Sequence, residues 1–139
     1  MERIVRREQP DLIYHLGDYL RDSEWLRAQF FHIPVFGVVG NCDYGCPGPE
    51  KVVDEVEGVR IFACHGHNYH VKYGLTALKL AAQEQHAALC LFGHTHVPCL
   101  EESGGIAFLN PGACGRINRS YGVVLLSGGT AECSLHRSI

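Results

Sequence analysis

In Ala87-Ala88-Leu89-Cys90-Leu91-Phe92-Gly93-His94-Thr95-His96, six apolar residues run into a glycine and then two histidines one residue apart. An unbroken apolar run of this length fits a strand buried on both faces. The loop that leaves it carries two imidazoles able to face two adjacent cations. Three more segments share this construction. Leu12 to Leu16 ends in Gly17-Asp18, Val35 to Val39 ends in Gly40-Asn41-Cys42-Asp43, and Val59 to Cys64 ends in His65-Gly66-His67. In α/β sheets, loops at the carboxyl ends of strands converge on one crevice. Asp18, Asn41, His65, His94 and His96 are therefore expected to meet, although they are far apart in the chain.

The intervening segments predict the rest of the fold. Residues 2–9, closed by Pro10, read as the tail of a helix. Asp22 or Ser23 is placed to cap a helix from Glu24 to about Phe31, with Trp25, Leu26 and Phe30 on one face. Tyr44 to Pro49 holds two glycines and two prolines and reads as a loop. Residues 51–56 and 59–64, around Glu57-Gly58, predict an antiparallel hairpin. From Leu75 to about Gln85, helical spacing of Leu75, Leu78, Lys79 and Ala82 predicts an amphipathic helix. Two further hairpins are expected, 99–102 with 106–109 and 121–126 with 131–135, the first ended by Asn110-Pro111-Gly112. Strands and helices that alternate and then give way to hairpins make a mixed α/β domain with sheet packed on sheet.

Composition narrows the classes of function. With 139 residues, 46% hydrophobic and 19% charged, the chain suffices for one domain with a single core. Its longest apolar runs, such as Ile33 to Val39, fall far short of the roughly 20 residues of a membrane span. The net charge of −3 argues against a broad footprint for nucleic acid. Arg3, Arg6 and Arg7 alternate with Glu2 and Glu8 and read as a solvated helix face. The charged stretch Met1 to Glu8 has no signal-peptide character, so a cytoplasmic location with reduced cysteines is expected. Cys42 and Cys46 lack the second pair that a finger-type zinc site needs.

A carboxylate, a carboxamide and imidazoles together suit Mn²⁺, Zn²⁺ or Fe. Of the five candidate ligands only Asp18 has two anionic oxygens with which to bridge two ions. Ions about 3.5–4 Å apart can clamp the attacking and leaving oxygens of a phosphoryl transfer. Singly, these motifs are ordinary turns or surface histidines; together, each at a strand end, they point to a metal centre. His67 is a candidate substrate contact, with the orienting of a neighbouring loop as its alternative role. His15 is expected to be buried in its strand, and Arg116 is a candidate for facing an anionic substrate.

These motifs resemble those of the calcineurin-like metallophosphoesterase superfamily, in particular its small bacterial and archaeal phosphodiesterase branch, which includes the retromer scaffold subunit. Gly40-Asn41-Cys42-Asp43, His65-Gly66-His67 with Val71-Lys72-Tyr73-Gly74, Gly93-His94-Thr95-His96 and Asn110-Pro111-Gly112 carry the resemblance. It extends from Leu12 to about Leu135. It implies a four-layer αββα sandwich with a dinuclear site at strand ends. Asp18 would bridge both metals, Asn41, His65 and His94 would complete one, and His96 would bind the other. The implied activity is metal-dependent hydrolysis of a small phosphodiester or phosphomonoester through a metal-bound hydroxide. Mn²⁺ is the expected ion, with Zn²⁺, Fe or Ni²⁺ as alternatives. Relatives with histidine in place of Cys42 use it on the leaving group or the phosphate. A thiol, with an unperturbed pKa of about 8.5, is a poor substitute.

One motif of the superfamily is missing. It begins with a strand bearing Asp-x-His, and none of Asp11, Asp18, Asp22, Asp43 and Asp54 has a histidine two residues later. The chain therefore reads as N-terminally truncated, with a misassigned start site as the favoured explanation. A true one-metal form, or a strand supplied by another chain in a homo-oligomer, are the alternatives. The half-site of Asp18, Asn41, His65 and His94 is expected to be the more secure. No residue is assigned as catalytic. The competing function is a catalytically impaired interaction scaffold on the same fold, and a nuclease is disfavoured by the charge.

Overall fold

The computed structural model describes residues 1–115, 117 and 119–138. Arg116 lies outside them, and with it the expectation of an anion contact there. In chain order the elements are α1 (Glu2–Glu8), β1 (Ile13–His15), α2 (Arg21–Gln29), β2 (Val35–Gly37), β3 (Lys51–Val56) and β4 (Val59–Cys64). Two short 3₁₀ turns (His67–Tyr69 and Val71–Tyr73) lead into α3 (Thr76–Glu84) and β5 (Leu89–Leu91). The chain closes with β6 (Cys99–Ser103), β7 (Ile106–Asn110), β8 (Ser120–Ser127) and β9 (Thr130–Arg137).

Alternation along three neighbouring strands builds the centre of the molecule. β4, β5 and β7 run parallel, flanked by antiparallel β3 and β6, in the order β3-β4-β5-β7-β6. Successive side chains of a strand point to opposite faces. One face carries Phe62, Cys64, Cys90, Ile106 and Phe108, packed with Leu78 and Ala82 of α3. The other carries Val59, Ile61, Ala63, Leu89, Leu91 and Leu109, packed with Tyr14 and Leu16 and with Val124, Leu126, Ala131, Cys133 and Leu135. Each large side chain sealed in this way contributes about 1.5–3 kcal/mol. A third cluster, Val5, Leu26, Phe30, Ile33 and Val35, joins α1 and α2 to the β1–β2 ribbon. The layers are thus α3, the five-stranded sheet, the β1–β2 and β8–β9 ribbons, and α1 with α2. This is the expected αββα sandwich.

The second β layer consists of two separate two-stranded ribbons. In the parallel β1–β2 pair, the Ile13 N–H donates to the Pro34 carbonyl and the Val38 N–H to the His15 carbonyl. Residues 13 and 15 thus face β2, and the Tyr14 amide and carbonyl face the opposite edge.

Helix α2 departs from expectation. It starts at Arg21 with Leu20 as N-cap, so Asp22 and Ser23 lie in its first turn and cap nothing. Ser23 is fully buried and donates its hydroxyl to the Leu20 carbonyl at 2.6 Å. The cause is close packing on β2: a Cβ on Gly37 would stand 2.7 Å from Ser23 Oγ, so only a small residue fits opposite it. The buried face is Ser23, Leu26 and Phe30, while Trp25 points largely outward. Helix α1 is tied to β8 through Tyr121, whose hydroxyl donates to Glu8 Oε1 at 2.7 Å and meets Arg7 Nη2. All seven cysteines are free. Among the described residues no helix is long and apolar enough to cross a membrane.

Candidate metal centre

The loops after β1 and β2 are packed backbone against backbone. Gly17 (φ 92) and Asp18 (φ 56) turn through the left-handed region. A Cβ on Gly17 would stand 2.7 Å from His65 Nδ1, and one on Gly40 would collide with the Asp18 carboxylate. Asp43 locks the two loops together. It is buried, and its carboxylate accepts the Leu20 N–H and the Gly40 N–H, each at 2.8 Å. Asp18 Oδ1 accepts the Cys42 N–H at 3.0 Å, which leaves Oδ2 turned to His65 Nε2 at 3.5 Å.

His65 sits at the middle of the cluster. It leaves β4 with 2% of its surface exposed, and Nδ1 lies 2.6 Å from the Leu16 carbonyl oxygen. A carbonyl can only accept, so the ring proton is on Nδ1 and Nε2 carries a lone pair. That lone pair faces Asn41 Oδ1 at 3.0 Å, His94 Nδ1 at 3.2 Å and Asp18 Oδ2 at 3.5 Å. The Asn41 amide nitrogen is turned to Cys42 Sγ, which fits its oxygen pointing inward. His94 can lend a proton to one of these contacts, but the oxygens of Asn41 and Asp18 cannot. Acceptors gathered without a donor are costly to bury. A cation resolves the conflict. For bonds of about 2.1 Å, neighbouring ligand atoms stand roughly 3.0–3.4 Å apart, close to the spacing found here.

Electrostatics favour the ligand forms. Burial holds the His65 and His94 rings below the ordinary imidazole value, and Lys72 adds to the effect at His94. Both rings are then neutral near pH 7, as metal binding requires. For Asp18, burial pushes the carboxyl up, but the Cys42 amide and His65 outweigh it and leave the group below its usual value. The Cys42 thiol is pushed up, first by the Asp18 charge and then by desolvation. The donor set fits a divalent transition ion. Among the described residues no three His, Cys, Asp or Glu side chains already surround a common centre. This set relies on an amide, and its atoms rest in mutual contact.

His94 (φ 68) is braced from behind by Asn110 at the end of β7. Asn110 is fully buried; its Nδ2 donates to the Gly93 carbonyl at 2.9 Å and to Thr95 Oγ1 at 3.0 Å. Its Oδ1 accepts the Gly112 N–H at 2.9 Å. Neither Asp43 nor Asn110 stands out by residue type. Their signal is position, a polar residue at a strand end inside a motif that already has its ligands. The His67 ring lies 5.2 Å from that of His65 and 6.1 Å from that of His94, and its Nδ1 is buried without a partner. His96 is exposed, and the described ring cluster comprises His65, His67 and His94 without it. His15 is half-buried, with Nδ1 enclosed and unpartnered.

Residues 1–129 match the family described as the calcineurin-like phosphoesterase superfamily domain. The chain is 33% identical over 103 residues to a probable metallophosphoesterase of Methanocaldococcus jannaschii. That match covers 74% of this chain and 53% of the relative, so the chain spans about half of the relative's length. Among solved structures, a predicted phosphoesterase from Streptococcus pneumoniae superposes with a TM-score of 0.81 at 31% identity, over 98% of this chain and 80% of that one. Vps29 of Entamoeba histolytica, solved in complex with Zn²⁺, shares the fold with a TM-score of 0.73 at 20% identity, over 99% and 89% of the two chains.

Proposed function

From the chain's membership of the calcineurin-like phosphoesterase superfamily, we propose that it is a metal-dependent hydrolase of small phosphodiesters or phosphomonoesters. Its principal cation is held by Asp18, Asn41, His65 and His94. The observation that carries this reading is the lone pair of His65 Nε2, directed at two oxygens that cannot donate to it. A bound divalent ion supplies Lewis acidity to a phosphoryl oxygen and acidifies water. Mn²⁺ is the favoured ion, with Zn²⁺, Fe or Ni²⁺ as alternatives.

The chain's own residues do the rest. The Leu16 carbonyl fixes the His65 tautomer, and Asp43 and Asn110 hold the loops that carry Asp18, Asn41 and His94. His67, beside both rings, contacts the substrate. His96 and Asp18 would hold a second ion, less firmly. Cys42 stays a thiol, its acidity lowered by the Asp18 charge and by desolvation, and is a poorer proton donor to the leaving alcohol than a histidine there would be.

Calorimetric titration of the metal-stripped chain with Mn²⁺ and Zn²⁺, paired with hydrolysis of bis-p-nitrophenyl phosphate and p-nitrophenyl phosphate, tests the reading. One ion should bind stoichiometrically and support hydrolysis of at least one ester. No binding by the unmutated chain sinks the metal assignment. Binding without hydrolysis of either ester favours an interaction scaffold.

A further inference from the structure

We propose that Tyr19, Tyr44 and Tyr73 form an aromatic rim around the metal centre and select a phosphodiester whose non-reacting ester arm ends in a flat ring, as a nucleoside's does. This rests on the phosphoesterase reading above.

The six tyrosines of the chain fall into two sets. Tyr14 stacks on Phe36 and donates its hydroxyl to Asp54, and Tyr69 meets Phe62 edge to face. Tyr121 stacks on His136 and joins Glu8 and Arg7. These three hold elements of the fold together. Tyr19, Tyr44 and Tyr73 are instead 70%, 100% and 93% exposed. Among the described residues none of the three pairs with another ring.

All three stand on loops that carry site residues. Tyr19 follows Asp18 directly and keeps φ 59, a left-handed conformation that bulky residues rarely adopt. The next amide, of Leu20, donates to Asp43 Oδ1 at 2.8 Å, and Tyr44 follows Asp43. The two tyrosines thus flank one buried hydrogen bond. The far side of the Tyr44 loop is fixed as well. A Cβ on Gly48 would stand 2.9 Å from Leu20 Cδ2, and the Val39 N–H donates to the Pro49 carbonyl at 2.9 Å. Three residues of chain span at most about 11 Å, which bounds the distance from Asn41 to Tyr44. Tyr73 ends the turn that follows His67, its N–H donating to the His70 carbonyl at 2.9 Å. Val71 seats that turn on the His65-Gly66-His67 loop, where a Cβ on Gly66 would stand 2.9 Å from Val71 Cγ2.

A tyrosine without a partner ring keeps its faces open to stacking, and every nucleobase offers a face in return. When a diester is cleaved, one ester group departs and the other stays on the phosphorus. The retained arm is what a rim can grip, and a monoester has none. The net charge of −3 gives no track for a long polyanion, so the arm that fits is a single nucleoside rather than a nucleic-acid strand.

The test compares two diesters with the same leaving group, the p-nitrophenyl ester of thymidine monophosphate and methyl p-nitrophenyl phosphate. The unmutated chain should prefer the thymidine ester. In Tyr44→Ala and in Tyr73→Ala, the ratio of kcat/KM for the thymidine ester to that for the methyl ester should fall about tenfold, mainly through KM. Tyr44→Phe should keep the ratio, and so should Phe31→Ala, which removes an exposed aromatic beyond the far end of α2. No preference in the unmutated chain, equal losses on the two esters, or a Tyr44→Phe as impaired as Tyr44→Ala overturns the proposal. A second readout is independent of turnover. In NMR titrations with Zn²⁺ present, thymidine monophosphate should shift the ring signals of Tyr44 and Tyr73, and methyl phosphate should not. If the unmutated chain hydrolyses neither ester, the phosphoesterase reading fails by itself. Ring shifts with the nucleotide alone then uphold the rim as a base-binding surface, and their absence overturns it.

Discussion

His94 and His96 stand one residue apart on one loop, both with left-handed backbone, and the fold treats them differently. Behind His94, Asn110 grips the Gly93 carbonyl and the Thr95 hydroxyl, and His65 lies in contact at 3.2 Å. His96 is exposed beyond that brace. Residue type and spacing are the same for both; what separates them is the set of buried hydrogen bonds that fixes one ring and leaves the other to solvent. A ligand is made as much by its backing as by its nitrogen.

Substitutions should reveal the contrast in a definite order. His65→Ala removes the atom on which three neighbours converge, and calorimetry should show Zn²⁺ affinity reduced by more than about 100-fold. His94→Ala should come next, with His96→Ala costing less than about tenfold for the first ion bound. Equal losses at 94 and 96 would erase the distinction. Asn110→Ala leaves both histidines in place and removes only the brace. It should weaken metal binding by about 10–100-fold. It should also destabilise the fold by about 1–3 kcal/mol, since buried partners lose their bonds, as chemical denaturation would report. Asp43→Asn keeps the shape but turns an N–H₂ toward one of two backbone donors. A loss of about 1–3 kcal/mol is expected there too.

A smaller effect comes from pH. Burial holds His15, His65 and His94 below the ordinary value of 6.5 in the folded chain. As pH falls through about 6.5, the unfolded chain takes up protons on these rings first, so stability is complete above that value and declines below it. Asp18, lowered from 3.8, acts in the same direction at more acidic pH, its contribution being lost as pH falls through its folded value. The thermal midpoint of the metal-free chain should drop between pH 7 and pH 5. A flat profile would mean that the three rings titrate as they do in the unfolded chain.

Much of this was legible in the residues. The apolar runs before Asp18, Asn41, His65 and His94 are strands or their continuations, and these four of the five side chains expected to meet do so, while His96 stays exposed outside the cluster. What escaped was set by contacts between elements. Helix α2 begins early because Gly37 admits Ser23 against β2, a fit that no helical periodicity encodes. Asp43 and Asn110 act on backbone amides and carbonyls of other loops, partners that appear only when the strands are assembled.

The ribbon β1–β2 has a consequence for the order in which the site assembles. His65 and His94 follow β4 and β5, each of which has partners on both edges. Asp18 and Asn41 follow β1 and β2, three-residue strands whose described pairing is to each other alone. Elements with fewer hydrogen bonds and shallower burial open first. Amide exchange should therefore be faster over residues 13–18 than over 61–65 and 89–94. The two imidazoles are then the lasting part of the cluster, and the carboxylate and carboxamide the part that opens and re-forms.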